Sequence, residues 1–320
     1  MTFKVSEVIR KSYELCGLDS QGKAGFFSLE ENRVLSASAP SGVKMETQKR
    51  NGVVVISVKV SKGVQLSSPL FFCFGVPGKK GRQAVQPEII LEENARAEII
   101  AHCGFPLAEK VTHQMEGKFI LKKNASLFYQ EHHYHGKKSG AEVSPRLEVE
   151  VGEGGFFSSD FSLVKGTVGR VRIELSALLG KNARAEINTK ALGQGGGDDV
   201  FILDQVRLQG EGSRGLIKMR AAAKDGGKVF MQGETYALSA GCRGHVDCQE
   251  ILIGDKSVAR AVPIVEVSNP EARVTHEASV GKINQKELEV LMTRGLSEEE
   301  AAELIRSEEH TSELQSPNTI

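Results

Sequence analysis

The sequence predicts a mainly β chain built on a parallel β-helix, and three observations carry that prediction. Thirty-four glycines stand beside no tryptophan and only 6% aromatic residues, a composition that favours many turns joined by short strands over a helical bundle. From about Gly52 the apolar pattern has period two, with Val55, Ser57 and Lys59 interleaved with Ile56, Val58 and Val60. Short apolar runs bounded by Gly, Asn or Asp continue to about Val280, as expected of successive strands. Third, the phrase Asn94-Ala95-Arg96-Ala97-Glu98-Ile99 returns unchanged as Asn182-Ala183-Arg184-Ala185-Glu186-Ile187, and Glu271-Ala272-Arg273-Val274 echoes it. Arg96, Arg184 and Arg273 are 88 and 89 residues apart, which reads as four coils of roughly 22 residues in a stacked solenoid. In such a helix each coil covers its neighbour's open edge, and the Asn-Ala turn recurs where the chain changes direction. On the repeat alone a β-sandwich stays open.

The elements follow in order. Phe3 to Leu18 carries Val5, Val8, Ile9 and Leu15 at helical spacing, so residues 1–45 read as a short amphipathic helix followed by irregular chain. Residues 46–282 form the β-helix core. Asn284 then caps a helix through Leu288, Leu291 and Met292 that stops at Gly295, and Ser297 with Glu300 forms a capping box for another. Residues 283–305 are therefore a C-terminal helical hairpin. The run Arg306-Ser307-Glu308-Glu309-His310-Thr311-Ser312-Glu313-Leu314-Gln315-Ser316-Pro317 resembles the in-frame translation of a DNA-sequencing adapter, so residues 306–320 read as a non-native tail and the natural sequence as departing near Ile305. That tail carries Arg306 against Glu308, Glu309 and Glu313, which leaves the rest of the chain at +2 where the whole is neutral.

Charge and cysteine usage exclude several classes of function. Forty-one basic residues balance forty-one acidic ones, without a block of five like charges, which argues against a nucleic-acid partner. Met1 to Ser20 lacks the basic start and unbroken apolar run of a signal peptide, and no later run of apolar residues is long enough to span a bilayer. A cytoplasmic protein with no membrane partner is expected. Cys16, Cys73, Cys103, Cys242 and Cys248 are odd in number and scattered, so free thiols are expected. Gly75-Val76-Pro77-Gly78-Lys79-Lys80 has neither the spacing nor the hydroxyl of a P-loop. Gly195-Gly196-Gly197-Asp198-Asp199 reads as a flexible turn, and the sequon Asn124-Ala125-Ser126 reads as chance in a cytoplasmic chain.

Chemistry concentrates in Gly244-His245-Val246-Asp247-Cys248-Gln249-Glu250-Ile251 and Thr275-His276-Glu277-Ala278. A thiolate, imidazoles and carboxylates lie there within about one and a half coils, a spacing that can bring Cys248 near Glu277 on one face of a solenoid. Such donors suit an iron–sulfur cluster: thiolate is its usual ligand, and histidine or carboxylate ligation loosens the hold on a cluster that must be handed on. A lone cysteine pointing into a β core is also commonly a small hydrophobe. His132, His133 and His135 can bind metal, but alternating histidines in a strand more often mark a polar, exposed face.

The ordered set His245-Val246-Asp247-Cys248, Ile253-Gly254-Asp255, Pro263-Ile264-Val265-Glu266-Val267, Thr275-His276-Glu277-Ala278 and Arg294-Gly295-Leu296-Ser297-Glu298-Glu299-Glu300-Ala301 resembles the SufB/SufD family of iron–sulfur cluster assembly scaffolds, in particular its compact archaeal and bacterial SufD-like members. The resemblance is dense over about residues 200–305 and extends weakly upstream through His133-Tyr134-His135-Gly136. It implies a right-handed β-helix core flanked by helices, which assembles a transient cluster with a second SufB/SufD-family subunit, in a homo- or heterodimer. It further implies a SufC-like ABC ATPase as a separate partner, docked on the region of the C-terminal hairpin, and a sulfur donor such as a cysteine desulfurase system. The chain itself would be a scaffold, not an enzyme. Cys248 falls at the cysteine used for cluster assembly, as sulfur acceptor or ligand, with His276 and Glu277 at neighbouring ligand positions and His245 as a lesser candidate. Thr275 stands where some members carry a further acid, so one ligand is lost. The upstream sulfur-entry cysteine of larger members has no clear counterpart, and Cys73 and Cys103 are the candidates. The rival readings are a non-catalytic supporting subunit of the same complex, a β-helical carbohydrate-active enzyme and a plain structural solenoid.

Overall fold

The structure is a computed structural model that describes residues 25–138, 140–254 and 256–283, together with Val290, Met292 and Thr293. Two antiparallel hairpins open it: β1 (Gly25–Glu30) with β2 (Arg33–Ser38), and β3 (Val43–Arg50) with β4 (Val53–Val60). Next come β5 (Leu70–Gly75), β6 (Lys80–Leu91), β7 (Arg96–Phe105), β8 (Lys110–Leu121), β9 (Ser126–His135), β10 (Ala141–Val151), β11 (Phe156–Lys165) and β12 (Arg170–Leu179). The series ends with β13 (Arg184–Gln194), β14 (Asp199–Leu208), β15 (Arg214–Lys224), β16 (Lys228–Ala237), β17 (Arg243–Ile253), β18 (Val258–Val267) and β19 (Arg273–Ile283). From β4 onward even-numbered strands build one parallel sheet and odd-numbered strands the other, so the chain winds a parallel β-solenoid of about eight turns. Among the described residues strand structure is already present at Gly25, ahead of the residue-46 boundary read from the sequence.

Alternation decides which side chains go inside. In β9 every second residue, Leu127, Tyr129, Glu131, His133 and His135, is buried, and the intervening ones are partly exposed. Strands paired in register place partnered side chains on the same face, so interior positions stack into columns along the solenoid. Near the β1 end Phe27, Phe72 and Phe74 fill the interior, with the Phe72 and Phe74 rings 6.2 Å apart and nearly perpendicular. Each such side chain contributes about 1.5–3 kcal/mol by leaving water.

The repeated phrase is a turn column, and its spacing differs from the sequence expectation. Arg96, Ser126, Phe156 and Arg184 are register partners in turn, so one coil takes 28 to 30 residues, and three coils, not four, separate the copies. The same turn recurs at each coil, with Ala95, Ala125, Gly155, Ala183 and Ser213 each donating a backbone hydrogen bond to the residue three positions back. Asn94, Asn124 and Asn182 precede it with φ near +55°, and Gly154, Gly212 and Gly241 do so with φ near +67°; only Asn, Asp and Gly adopt this conformation at low cost. The Asn124-Ala125-Ser126 sequon is thus the turn of an intervening coil. The turn at Gly195–Gly197 is anchored by Asp198, buried, whose carboxylate accepts from the backbone N–H groups of Val168, Gly169 and Gln194, each at 2.9 Å.

The two ends of the solenoid differ. At the first, the edges are the charged strand β3, with Lys44, Glu46, Lys49 and Arg50, and the short strand β2, both devices that discourage edge pairing. At the other, β18 and β19 pair on one side only among the described residues, and Val258, Val267 and Val280 are about half exposed. The helix expected over Phe3–Leu18 and the adapter-like tail 306–320 lie outside the described residues, as does the C-terminal hairpin apart from Val290, Met292 and Thr293.

Candidate functional site

Cys248 lies in the middle of β17, and the period of the strand sends Val246, Cys248 and Glu250 inward and Asp247 and Gln249 outward. Cys248 is fully buried between its register partners Met219 of β15 and Ala278 of β19. Space for the sulfur comes from Gly233 on the facing strand β16: a Cβ there would stand 3.5 Å from Cys248 Sγ, 3.4 Å from Met219 Sδ and only 2.7 Å from Val246 Cγ1. Any larger residue at 233 would push on the thiol.

Two acids share this interior. Glu250 is 1% exposed and neither of its oxygens is hydrogen-bonded; burial raises its carboxyl to about 8. Asp204 of β14, also buried, accepts from Thr189 Oγ1 at 2.7 Å, and burial, partly countered by that hydrogen bond, raises it to about 7. Burial, reinforced by Glu250, Asp247 and Asp204, pushes the Cys248 thiol up to about 12, against a smaller opposing effect of Arg220. Arg220 donates to the Asp247 backbone carbonyl at 3.2 Å and pairs with its carboxylate on the outer surface. The thiol is therefore held protonated in this arrangement.

The residues singled out from sequence divide between the two faces of the sheet. His276 is in register with Val246, so it lies on the interior-facing side of β19, one strand beyond Cys248, and is exposed because no strand covers β19 among the described residues. Glu277 is in register with Asp247, not with Cys248, and belongs to the outer face. His245 is outward as well, with its Nδ1 2.7 Å from Thr275 Oγ1. The structure thus brings Cys248 and His276 to one face and separates them from Glu277 and His245. The carboxyls that do accompany Cys248 are Glu250, two residues along the same strand and so readable from alternation, and Asp204, which no sequence signal marked.

The other cysteines and histidines are placed differently from the sequence expectation. Cys103, Cys242 and Cys248 are free and buried, and Cys73 is buried as well; Cys16 lies outside the described residues. Cys242 occupies the small-residue column of the turns, its Sγ 3.4 Å from Ser213 Oγ and 3.3 Å from the Gly210 carbonyl oxygen. His133 and His135, expected on an exposed polar face, are each 2% exposed and point into the solenoid, because the alternation of β9 is set inward at the odd positions. They share the interior with Cys103 and Glu131, four strands of the same sheet away from β17, or about 19 Å. No helix among the described residues is long and apolar enough to cross a membrane.

The described residues thus form a parallel β-solenoid with a thiol and two carboxyls enclosed near one end. The SUF system FeS cluster assembly SufBD core domain matches residues 76–308, and the chain belongs to the SufBD family. It is 35% identical over 286 residues to an iron–sulfur cluster assembly SufBD family protein of Methanocaldococcus jannaschii, covering 89% of each chain. A SufBD family protein of Pyrococcus horikoshii is 28% identical over 95% of each chain. The SufB protein of Bacillus subtilis is 25% identical over 78% of this chain and 53% of its own length. Membership gives the chain a role in iron–sulfur cluster assembly.

Proposed function

We propose that this chain is a scaffold subunit on which an iron–sulfur cluster is built and then handed on, with Cys248 as sulfur acceptor or cluster ligand. The observation that carries the reading is the placement of Cys248 and His276 on the interior-facing side of adjacent strands at the edge where the described sheets end. The cluster is cargo. Cys248 would ligate iron as thiolate, the metal displacing the proton that burial now retains. Taking sulfane sulfur from a donor persulfide would leave Cys248 as the persulfide and release the donor as thiolate. Asp204, raised to about 7, would be partly ionised near neutral pH and able to take up the displaced proton, whereas Glu250, raised to about 8, would already hold its own. Imidazole from His276 would complete a labile ligand set, and Glu277 would join only where β19 moves or a second subunit presents its own outer face.

The one-sided edges of β18 and β19, with Val258, Val267 and Val280 exposed, suit strand pairing with a second SufB/SufD-family subunit, the same chain or a paralogue. A separate SufC-like ATPase would drive opening of that junction by binding its two states unequally, and a cysteine desulfurase system would supply sulfur, all in the cytoplasm. One observation favours the second reading, a supporting subunit beside a catalytic paralogue: Cys248 is wholly enclosed and Glu277 faces away from it.

Anaerobic reconstitution with iron and sulfide decides between them. Wild type is expected to develop cluster absorption and bound sulfide that Cys248→Ala lacks. Equal loading of the two would sink the assignment of Cys248 and leave the supporting role.

A further inference from the structure

The interior of β7 to β9 holds a second set of donors that the cluster-assembly reading does not use. Cys103 Sγ, Glu131 carboxylate oxygen and His133 ring nitrogen all lie within 4.8 Å of one another, and all three residues are buried. Glu131 Oε1 is 2.7 Å from His133 Nε2 and 3.9 Å from Cys103 Sγ. Donors bound to one tetrahedral zinc-like ion stand about 3.3–3.7 Å apart, a separation these two distances bracket. Tyr129 Oη donates to the other oxygen, Glu131 Oε2, at 2.8 Å, the outer hydrogen bond that orients a ligating carboxylate.

A satisfied structural triad would account for Tyr129, Glu131 and His133 Nε2, and for nothing else in this region. His113 and His135 are also buried here, their rings each 5.2 Å from that of Phe105, with His113 6.5 Å and His135 5.9 Å from His133. Both ring nitrogens of His113, both of His135 and Nδ1 of His133 are buried and without a hydrogen-bond partner. Every neutral imidazole carries one N–H and one lone pair, and so many orphaned groups in one place are costly unless something else engages them.

We propose that Cys103, Glu131 and His133, with His113 beside them, form an interior site for a divalent first-row transition-metal ion, separate from Cys248. Mixed sulfur, nitrogen and oxygen ligation suits Zn²⁺ or Fe²⁺ and is foreign to Mg²⁺ or Ca²⁺. Enclosure inside the solenoid means the ion enters as the coils close, so binding is coupled to folding. The site stands or falls independently of the assembly reading.

The test uses the full chain carrying Cys248→Ala, refolded anaerobically with Co²⁺, so that the proposed assembly cysteine contributes no signal. One equivalent of cobalt with thiolate-to-cobalt charge transfer and tetrahedral d–d bands is expected. Adding Cys103→Ser should abolish the charge-transfer band. Tyr129→Phe, which keeps the ring and the fold, should weaken cobalt binding about ten- to a hundredfold. A folded protein without cobalt–thiolate bands would overturn the site, and so would bands that survive Cys103→Ser or an affinity unchanged by Tyr129→Phe.

Discussion

Glu131 and Glu250 are both glutamates enclosed in the same solenoid, on strands of the same sheet, and their carboxyls move in opposite directions. Burial acts to raise both. For Glu131 the His133 and Tyr129 hydrogen bonds, with the neighbouring imidazoles, outweigh it and hold the group below its ordinary value. Glu250 has no partner, and burial alone takes it to about 8. The lesson is that depth does not set the charge of an interior acid; the donors within reach of it do. One region holds an ionised carboxylate beside a Cys103 thiol that burial and Glu131 keep protonated, and the other is a protonated set that becomes ionic only when something displaces its protons.

Removal of each acid should therefore give effects of opposite sign. Glu131→Leu leaves Tyr129 Oη and His133 Nε2 without their acceptor in a closed interior, and the expected cost is about 3 kcal/mol or more in denaturant unfolding. Glu250→Leu removes a carboxyl that satisfies nothing and supplies apolar volume, so it should stabilise by about 1–4 kcal/mol at pH 7. Two losses of similar size would erase the distinction between the regions.

The pH dependence sharpens the same contrast. Glu250 is raised in the folded chain to about 8, so above the ordinary carboxylate range of about 4.3 the unfolded state holds fewer protons than the folded one. Stability from this group is then lost as pH rises from about 4.3 to 8, at no more than about 1.4 kcal/mol per pH unit. Glu131, held low, has the reverse sign: its contribution is present above the ordinary range and is lost as pH falls below it. The gain from Glu250→Leu should accordingly be near zero at pH 4 and grow toward pH 8, measured as the difference in unfolding free energy from wild type. A difference that stays flat across that range would show that Glu250 is not held protonated by the fold.

Much of the fold was legible in the sequence because period two and turn chemistry are local. The coil length was not, since the left-handed turn position accepts Asn or Gly interchangeably: Asn94 and Asn182 match as words, whereas Asn124, Gly154 and Gly212 fill the same position in different spellings. The error then propagated to the site. Cys248 and Glu277 are 29 residues apart, but the coil at that point takes 30, pairing Cys248 with Ala278; an offset of one residue moves a side chain to the opposite face. His133 and His135 failed for a related reason, because alternation reveals two faces without saying which is inside. Cys248 and His276 stood out as clustered donors, took their roles from the family resemblance and share a face; Glu250 needed only the alternation, and Asp204, 44 residues upstream on the facing sheet, needed the structure.

The smallest effect expected concerns Cys242, six residues before Cys248 and equally buried. Its position is the small-residue column of the turns, filled elsewhere by Ala95, Ala125, Ala183 and Ser213, so the other coils already show what alanine does there. Cys242→Ala gives up weak sulfur contacts with Ser213 and the Gly210 carbonyl and should cost under about 1 kcal/mol. Iron and sulfide loading should be indistinguishable from wild type, in contrast to Cys248→Ala. A Cys242→Ala protein that folds normally but fails to load would place the working thiol in the turn column and not in the enclosed strand, and the division drawn here between structural and chemical cysteines would have to be reversed.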